Sequence, residues 1–181
     1  MRQVKINVKN FTLAIKNALE NENWYASLFI ALCLPDICSK LAKPNIPTGK
    51  RYAEWFEEYV SNNYIVYDPN LGKQNKLLSG KDAYALRCAF LHQGESDIID
   101  QKARDVLDGF RFVYPNENYI VHKNRINNYL QLQVDIFCED MINGVDTWLE
   151  NNQNASFMMR GTNFLEIESS IDNIIVKVEK P

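Results

Sequence analysis

The segment 24–34 is apolar on nearly every side of the helix that it predicts, and it constrains the fold more than any other part of the chain. A helix that has no polar face must lie at the centre of a core. The same helix is predicted to continue to about residue 41, and Asn23 is placed to cap its first turn. Pro35 has no amide hydrogen, so we expect it to kink the helix or to restart it.

Three further segments repeat apolar side chains at the spacing of an amphipathic helix: 8–19, 51–60 and 134–151. The last of these has the clearest apolar face. A shorter helix is predicted between Ser79 and Gly94, because Ser79 and Asp82 form a capping pair and Gly94 favours the left-handed conformation that ends helices. A long polar loop is predicted at 62–78, and a short helix at 98–107.

The second half of the chain is predicted to contribute a small sheet. Strands are expected at 110–114, 119–121 and 129–133, and again at 164–168 and 174–178. The predicted fold class is therefore mainly α, a helical bundle with a small antiparallel β element in the C-terminal half. All 181 residues are predicted to form one domain. Its helical core spans about 8–108 and 134–151, and its β-rich additions span about 109–133 and 160–180.

Composition argues against several classes of function. No run of about 18 apolar residues occurs and the N-terminus is polar, which predicts neither a membrane span nor a signal peptide. The net charge of −3 argues against binding of DNA or long RNA through phosphates alone, so an RNA partner requires a local basic cleft. The four cysteines form no Cys-x-x-Cys pair and are interpreted as buried thiols of a cytoplasmic protein. Two histidines and no ligand cluster predict neither a metal nor a cofactor.

Arg87 and His92 are the pair of residues that suggests catalysis. They lie five residues apart on a predicted helix, so their side chains point about 140° apart and are about 7.5 Å apart along the axis. A long arginine side chain can still bend toward a site shared with the histidine. An imidazole transfers protons near neutral pH, and a guanidinium binds phosphate through two hydrogen bonds. Together they suit metal-independent cleavage of RNA in which the 2′-hydroxyl is the nucleophile.

Other interpretations of the polar residues stay open. Arg87 and His92 also suit a structural role, in which they form hydrogen bonds between helices or across a dimer. Asp36 and Lys40 lie four residues apart after Pro35. They are either an exposed ion pair, worth about 0.3 kcal/mol, or polar groups at the edge of a site. His122, near a predicted strand end, is interpreted as a surface residue, and the alternative is that it is a second functional histidine.

The segment Arg87-Cys-Ala-Phe-Leu-His92 resembles the Arg-x4-6-His motif of HEPN-domain proteins. The wider sequence, with Leu34-Pro-Asp-Ile-Cys38 and Gly49-Lys-Arg-Tyr52, is similar to an uncharacterised bacterial family of this type. The resemblance covers roughly residues 8–150. HEPN proteins are mostly helical bundles and commonly dimers. Many of them are metal-independent ribonucleases in bacterial defence and toxin–antitoxin systems.

The resemblance implies that Arg87 holds the RNA phosphate and that His92 is the catalytic acid or base. It also implies a homodimer, in which two copies of this helix face each other and form one cleft. Supporting candidates are Cys88, Asp36 and Lys40. Two positions depart from the family pattern: Cys88 stands where asparagine or another polar residue is common, and Gly94 stands where some toxins carry a tyrosine that a partner enzyme modifies.

Two functions are therefore expected. The first is a HEPN-like endoribonuclease of bacterial defence or stress response. The alternative is a catalytically inactive helical module that uses the same groove to bind RNA, a nucleotide or a protein partner.

Overall fold

The computed structural model describes residues 2–69 and 72–159, and this part of the chain is mainly α-helical, as predicted. Five α-helices occur in it: α1 (Arg2–Glu20), α2 (Trp24–Ala42), α3 (Thr48–Tyr59), α4 (Gly80–Gln93) and α5 (Val134–Asn151). Five short strands accompany them: β1 (Ile65–Asp68), β2 (Lys73–Lys76), β3 (Gly109–Val113), β4 (Asn124–Ile126) and β5 (Tyr129–Gln133). The strands predicted at 164–168 and 174–178 lie outside the described residues.

Helix α2 is the central helix of the fold, as its apolar sequence predicts. It packs against α1, α3, α4 and α5. The side chain of Asn23 accepts a hydrogen bond from the Ala26 amide at 3.3 Å and caps the first turn. The helix runs through Pro35 without a restart, and the nearby Leu32 carbonyl accepts a hydrogen bond from the Tyr52 hydroxyl at 3.2 Å. Packing on all sides holds the helix together across the proline.

By length and composition, α2 alone among the described helices is apolar enough to cross a membrane. A search of the sequence for an uninterrupted run of about 18 apolar residues does not detect this helix. Eight residues of α2 are buried inside the fold. The same apolar composition is typical of the core helix of a soluble protein.

The segment predicted as a polar loop contains a β-hairpin. Strands β1 and β2 pair antiparallel, with Ile65 opposite Lys76 and Tyr67 opposite Gln74. The hairpin is anchored where the Leu77 amide donates to the Tyr64 carbonyl at 2.8 Å. Strand β2 has no alternation of apolar and polar side chains. The usual sequence signal of a strand is therefore missing, and backbone pairing alone defines this one.

The second sheet has the order β3-β5-β4, with β5 in the middle. Strands at 110–114 and 129–133 are confirmed within a residue. They run parallel to each other, whereas β4 is antiparallel to β5, so the predicted antiparallel element is in fact a mixed sheet. The prediction of a strand at 119–121 is wrong, because the strand that pairs with β5 lies at Asn124–Ile126.

The short helix predicted at 98–107 is not formed. A buried carboxylate, that of Asp82, accepts hydrogen bonds from the amides of Asp105, Val106 and Leu107 at 2.7, 3.2 and 3.4 Å. These bonds hold the segment as a series of turns against α4. A tertiary contact therefore overrides the local apolar pattern.

Candidate active site at the end of helix α4

Helix α4 has the start and stop signals that the sequence predicts. The Ser79 hydroxyl accepts from the Asp82 amide at 3.1 Å, and Gly94 ends the helix in the left-handed conformation with a φ of +72°. Gly80 lies directly against α3, where an added Cβ would stand 2.3 Å from the Ala53 carbonyl oxygen. Glu57 of α3 also accepts from the Gly80 amide at 2.7 Å. The first turn of α4 is thus fixed in position against α3.

The guanidinium of Arg87 is held by a carboxylate from α2. Arg87 Nε lies 2.8 Å from Asp36 Oδ2, an ion pair that is poorly aligned for a hydrogen bond. The side chains are only 20% and 16% exposed. Burial raises the pKa of Asp36 even though Arg87 and Arg51 act to lower it. Burial also acts to lower the pKa of Arg87, but Asp36 and nearby thiols outweigh it, and the pKa of Arg87 is raised.

The other end of the guanidinium reaches His92. Arg87 Nη1 lies 3.1 Å from His92 Nε2, although the two side chains leave α4 in different directions. Arginine has only donors, so Nε2 must accept, and the neutral imidazole then carries its proton on Nδ1. The His92 side chain is exposed. In this contact the lone pair of Nε2 is occupied by Arg87, so the imidazole can act as a base at Nε2 only when the guanidinium moves away from it.

Cys88 lies beside Arg87 and affects the electrostatics of the site. It influences the pKa values of both Arg87 and Tyr84. The nearby thiol of Cys33 has a pKa that burial raises. All four cysteines of the chain are free, and Cys38 and Cys138 are buried.

Lys40 lies apart from the pair. Its ammonium donates to the Pro44 carbonyl at 2.9 Å. The exposed ion pair between Asp36 and Lys40, one of the two alternatives from the sequence, is not formed, because Asp36 turns toward α4 and pairs with Arg87. Of the three supporting candidates, the structure brings Asp36 into contact with Arg87, places Cys88 beside it and leaves Lys40 at the surface.

The interpretation of His122 as a surface residue is wrong. Its side chain is only 6% exposed and packs against the ring of Tyr64, with 5.9 Å between the ring centroids and 53° between the ring planes. His122 Nδ1 accepts from the Gln133 amide at 3.2 Å, and Nε2 faces Asp140 Oδ2 at 3.9 Å. Burial, and then Lys123, lowers the pKa of His122 to about 4. This histidine is a neutral, buried residue at neutral pH.

A groove between α3 and α4 was not foreseen from the sequence. Its volume is about 970 Å³, and the Tyr84 ring forms part of its wall one helical turn before Arg87. Cationic residues at the groove are Lys43, Lys50, Lys81, Lys102 and Arg104, and acidic ones are Glu54, Glu57, Glu58 and Asp105. Lys43 and Lys76 lie 2.8 and 2.6 Å from Glu54 and Glu57 and compensate their charges.

Comparison with known proteins adds no relative. No family model matches the chain, and neither the curated proteins nor the solved structures give a significant match.

Within residues 2–69 and 72–159, no group of three or more His, Cys, Asp or Glu side chains is arranged to hold a metal ion.

Proposed function

We propose that the chain is a HEPN-like, metal-independent endoribonuclease that acts as a homodimer in the cytoplasm. Arg87 binds the scissile phosphate and His92 transfers protons. The observation that supports this best is the contact of 3.1 Å between Arg87 Nη1 and His92 Nε2, at a surface where an RNA strand has access to the imidazole. Asp36 restrains the guanidinium from the opposite side.

The chemistry follows from the two side chains. When RNA is bound, the Arg87 guanidinium turns from His92 to the phosphate, and the released Nε2 takes the proton of the 2′-hydroxyl. The oxygen then attacks the adjacent phosphorus. Negative charge grows on the phosphate oxygens and is stabilised by the Arg87 guanidinium. The bond to the 5′-oxygen breaks as an acid protonates it, which yields a 2′,3′-cyclic phosphate and a 5′-hydroxyl.

The proposed dimer supplies the second proton-transfer group. Attack and departure occur on opposite sides of the phosphorus, so one imidazole does not reach both oxygens at once. A second copy that faces the first would bring its own His92 to the far side and a second arginine to the phosphate. Two arginines in one cleft would also offset the overall negative charge of the chain.

The groove between α3 and α4 gives the RNA a path toward the site. Lys81 and Lys102 line it, and neither has an ion-pair partner in the part of the chain that the structure describes. Tyr84 connects this groove to the face of α4 that carries Arg87. Lysines along a groove with an aromatic ring are typical of single-stranded nucleic-acid binding.

The test is cleavage of a fluorescent single-stranded RNA by purified protein in excess EDTA. We expect cleavage by the wild type, and a loss of at least about 100-fold in the variants His92→Ala and Arg87→Ala. Lys40→Ala is the matched control, because it removes a nearby charge that does not touch the pair.

Equal loss of RNA in all four proteins would identify a contaminating nuclease and contradict the proposal. Binding of RNA by the wild type without cleavage would favour the inactive binding module instead. Sedimentation at the same protein concentrations tests the dimer, and a monomer at every active concentration would refute it.

A further inference from the structure

The carboxylate of Asp36 interacts with two arginines, one from each of the helices that pack against this end of α2. Arg87 of α4 lies 2.8 Å from it. Arg51 of α3 is the second arginine and is only 9% exposed. Burial raises the pKa of Asp36, and Arg87 and then Arg51 act to lower it. A second buried cation therefore stands next to the candidate site, and the proposed chemistry does not yet use it.

Local hydrogen bonds fix the position of Arg51. Its Nη1 donates to the Ile46 carbonyl at 3.0 Å and to Thr48 Oγ1 at 2.9 Å. The neighbouring Tyr52 hydroxyl donates to the Leu32 carbonyl at 3.2 Å, which holds α3 against α2. Arg51 Nε is buried and has no hydrogen-bond partner among the described residues. The guanidinium is thus anchored at one nitrogen by groups that take no part in the contact between Asp36 and Arg87.

Binding of a phosphate changes the charge balance around Asp36. Asp36 and Arg87 together are neutral, so the phosphate competes with the carboxylate for the charge of Arg87. The Asp36 side chain is only 16% exposed, and both of its oxygens already lack an aligned hydrogen bond from the described residues. A buried carboxylate that loses its compensating charge either takes up a proton or requires another cation. Arg51 is a cation that stays in place when Arg87 moves.

We propose that Arg51 is a positioning residue of the candidate site, which balances the charge of Asp36 while Arg87 binds the RNA phosphate. The inference rests on the proposed nuclease function, because the RNA phosphate is what draws on Arg87. Two arginines and one carboxylate leave one net positive charge, and this charge attracts the phosphate. Arg51 acts through Asp36 and does not touch the RNA.

The first test needs no RNA. The carboxyl resonance of Asp36 is titrated by ¹³C NMR in the wild type, in Arg51→Gln and in Arg51→Lys. We expect a higher pKa of Asp36 in Arg51→Gln, because a cation that stabilises the carboxylate is lost, and a smaller change in Arg51→Lys, which keeps the charge. Four other groups interact with Asp36 and are the same in all of these proteins: Cys33, Tyr52, Tyr84 and Arg87.

The matched control for this titration is Lys50→Gln. It removes the charge of the preceding residue, whose side chain is 67% exposed and lies 3.9 Å from Glu54. The titration of Asp36 should stay as in the wild type. If Arg51→Gln has no more effect on the pKa of Asp36 than this control, the proposal is wrong.

The second test asks whether Arg51 acts through Asp36. The probe is a fluorescein-labelled 2′-O-methyl hexauridylate, which lacks the nucleophile and is not cleaved, and its binding is measured by anisotropy. We expect Arg51→Gln to weaken binding about tenfold in the wild-type background and less than about threefold in the Asp36→Asn background. Equal losses in the two backgrounds would assign Arg51 to the fold or to direct contact with RNA, and would overturn the proposal.

Folding of the variants is followed by circular dichroism. If Arg51→Gln does not fold, the double variant Asp36→Asn/Arg51→Gln should fold, because the charge that Arg51 balances is gone. A double variant that also fails to fold would assign Arg51 to its bonds with Ile46 and Thr48 alone, and would refute the proposal.

The outcomes separate this inference from the nuclease itself. Undiminished cleavage of RNA by Arg51→Gln, with an unchanged titration of Asp36, would refute the role of Arg51 and leave the nuclease standing. A loss of oligonucleotide binding in Arg51→Gln that depends on Asp36, without any cleavage of unmodified RNA by the wild type, would retain this role and refute the nuclease. Neither binding nor cleavage by the wild type would refute both.

Discussion

The two histidines of this chain occupy opposite environments. His92 is exposed at the end of α4 and contacts the guanidinium of Arg87. His122 is buried, and its Nδ1 is occupied by the amide of Gln133. A carboxylate lies in the surroundings of each histidine. Asp36 pairs with Arg87, which contacts His92, and Asp140 faces His122 directly. In both places burial raises the pKa of the carboxyl group. Access to solvent, more than residue type, decides which histidine is available for chemistry.

Removal of the His92 side chain is the strongest test of this difference between the two histidines. We expect His92→Ala to lower the rate of RNA cleavage by at least about 100-fold, because general acid–base groups typically contribute that much. The free energy of unfolding should change by less than about 0.5 kcal/mol, since the side chain is exposed. Cleavage assays and urea unfolding of the same preparations measure both quantities. A large loss of stability would show that His92 is a structural residue.

The buried histidine should make the free energy of unfolding depend on pH. The pKa of His122 is about 4 in the folded protein and near 6.5 in the unfolded chain, so the unfolded state binds more protons between these values. The contribution of His122 to the free energy of unfolding is therefore fully present above about pH 6.5. As the pH falls toward 4, the free energy of unfolding decreases by about 3 kcal/mol. Asp135 and Asp140 face the same ring and Lys123 is adjacent, so wild type and His122→Gln must be compared by urea unfolding from pH 7 to pH 4. Equal pH dependence in the two proteins would contradict this.

The two carboxylates should differ in what they affect. We expect Asp36→Asn to reduce cleavage about tenfold, because the guanidinium of Arg87 loses its ionic partner and its fixed position. Asp140→Asn should leave cleavage unchanged and lower the free energy of unfolding by about 1 kcal/mol, since the hydrogen bond that Asn63 donates to Asp140 at 2.9 Å changes from a charge-assisted bond to a neutral one. Rates and unfolding curves for both variants provide the comparison. A cleavage defect in Asp140→Asn alone would reverse the assignment of the two clusters.

The smallest effect is expected at Lys40. Its bond to the Pro44 carbonyl is exposed, so Lys40→Ala should change the free energy of unfolding by about 0.3 kcal/mol or less. Cleavage should stay within the error of the assay. A marked loss of cleavage would return Lys40 to the site, as a residue that meets the RNA without contacting Arg87.

The helices are the part of this fold that local sequence predicts well. The caps of α4 and the apolar face of α5 depend on neighbouring residues, and both helices form where they are expected. The failures occur where distant partners decide. Asp82 holds the turns after α4 through backbone amides, and β2 is defined only by its pairing with β1. Neither contact leaves a periodic signal in the sequence.

The sequence predicts Arg87 and His92 as a pair, but it does not predict the geometry that brings them into contact. The spacing of Arg87 and His92 predicts two side chains that diverge. The structure shows that the arginine side chain bends toward the histidine. The sequence pairs Asp36 with Lys40 or places it at the edge of a site, because it does not indicate which helix Asp36 of α2 will face after Pro35. The burial of His122 is not visible in the sequence for a similar reason, because it depends on α5 and on Tyr64, which are remote in the chain.

The close approach of α4 to α3 at Gly80 has a consequence for the evolution of this chain. Gly80 carries no side chain, lies seven residues before Arg87, about 10.5 Å along the helix, and takes no part in the proposed chemistry. Any other residue there would place a carbon 2.3 Å from the Ala53 carbonyl oxygen and force the two helices apart. A single nucleotide change that replaces Gly80 would therefore act like a mutation in the candidate site, while every proposed functional side chain remained in the sequence.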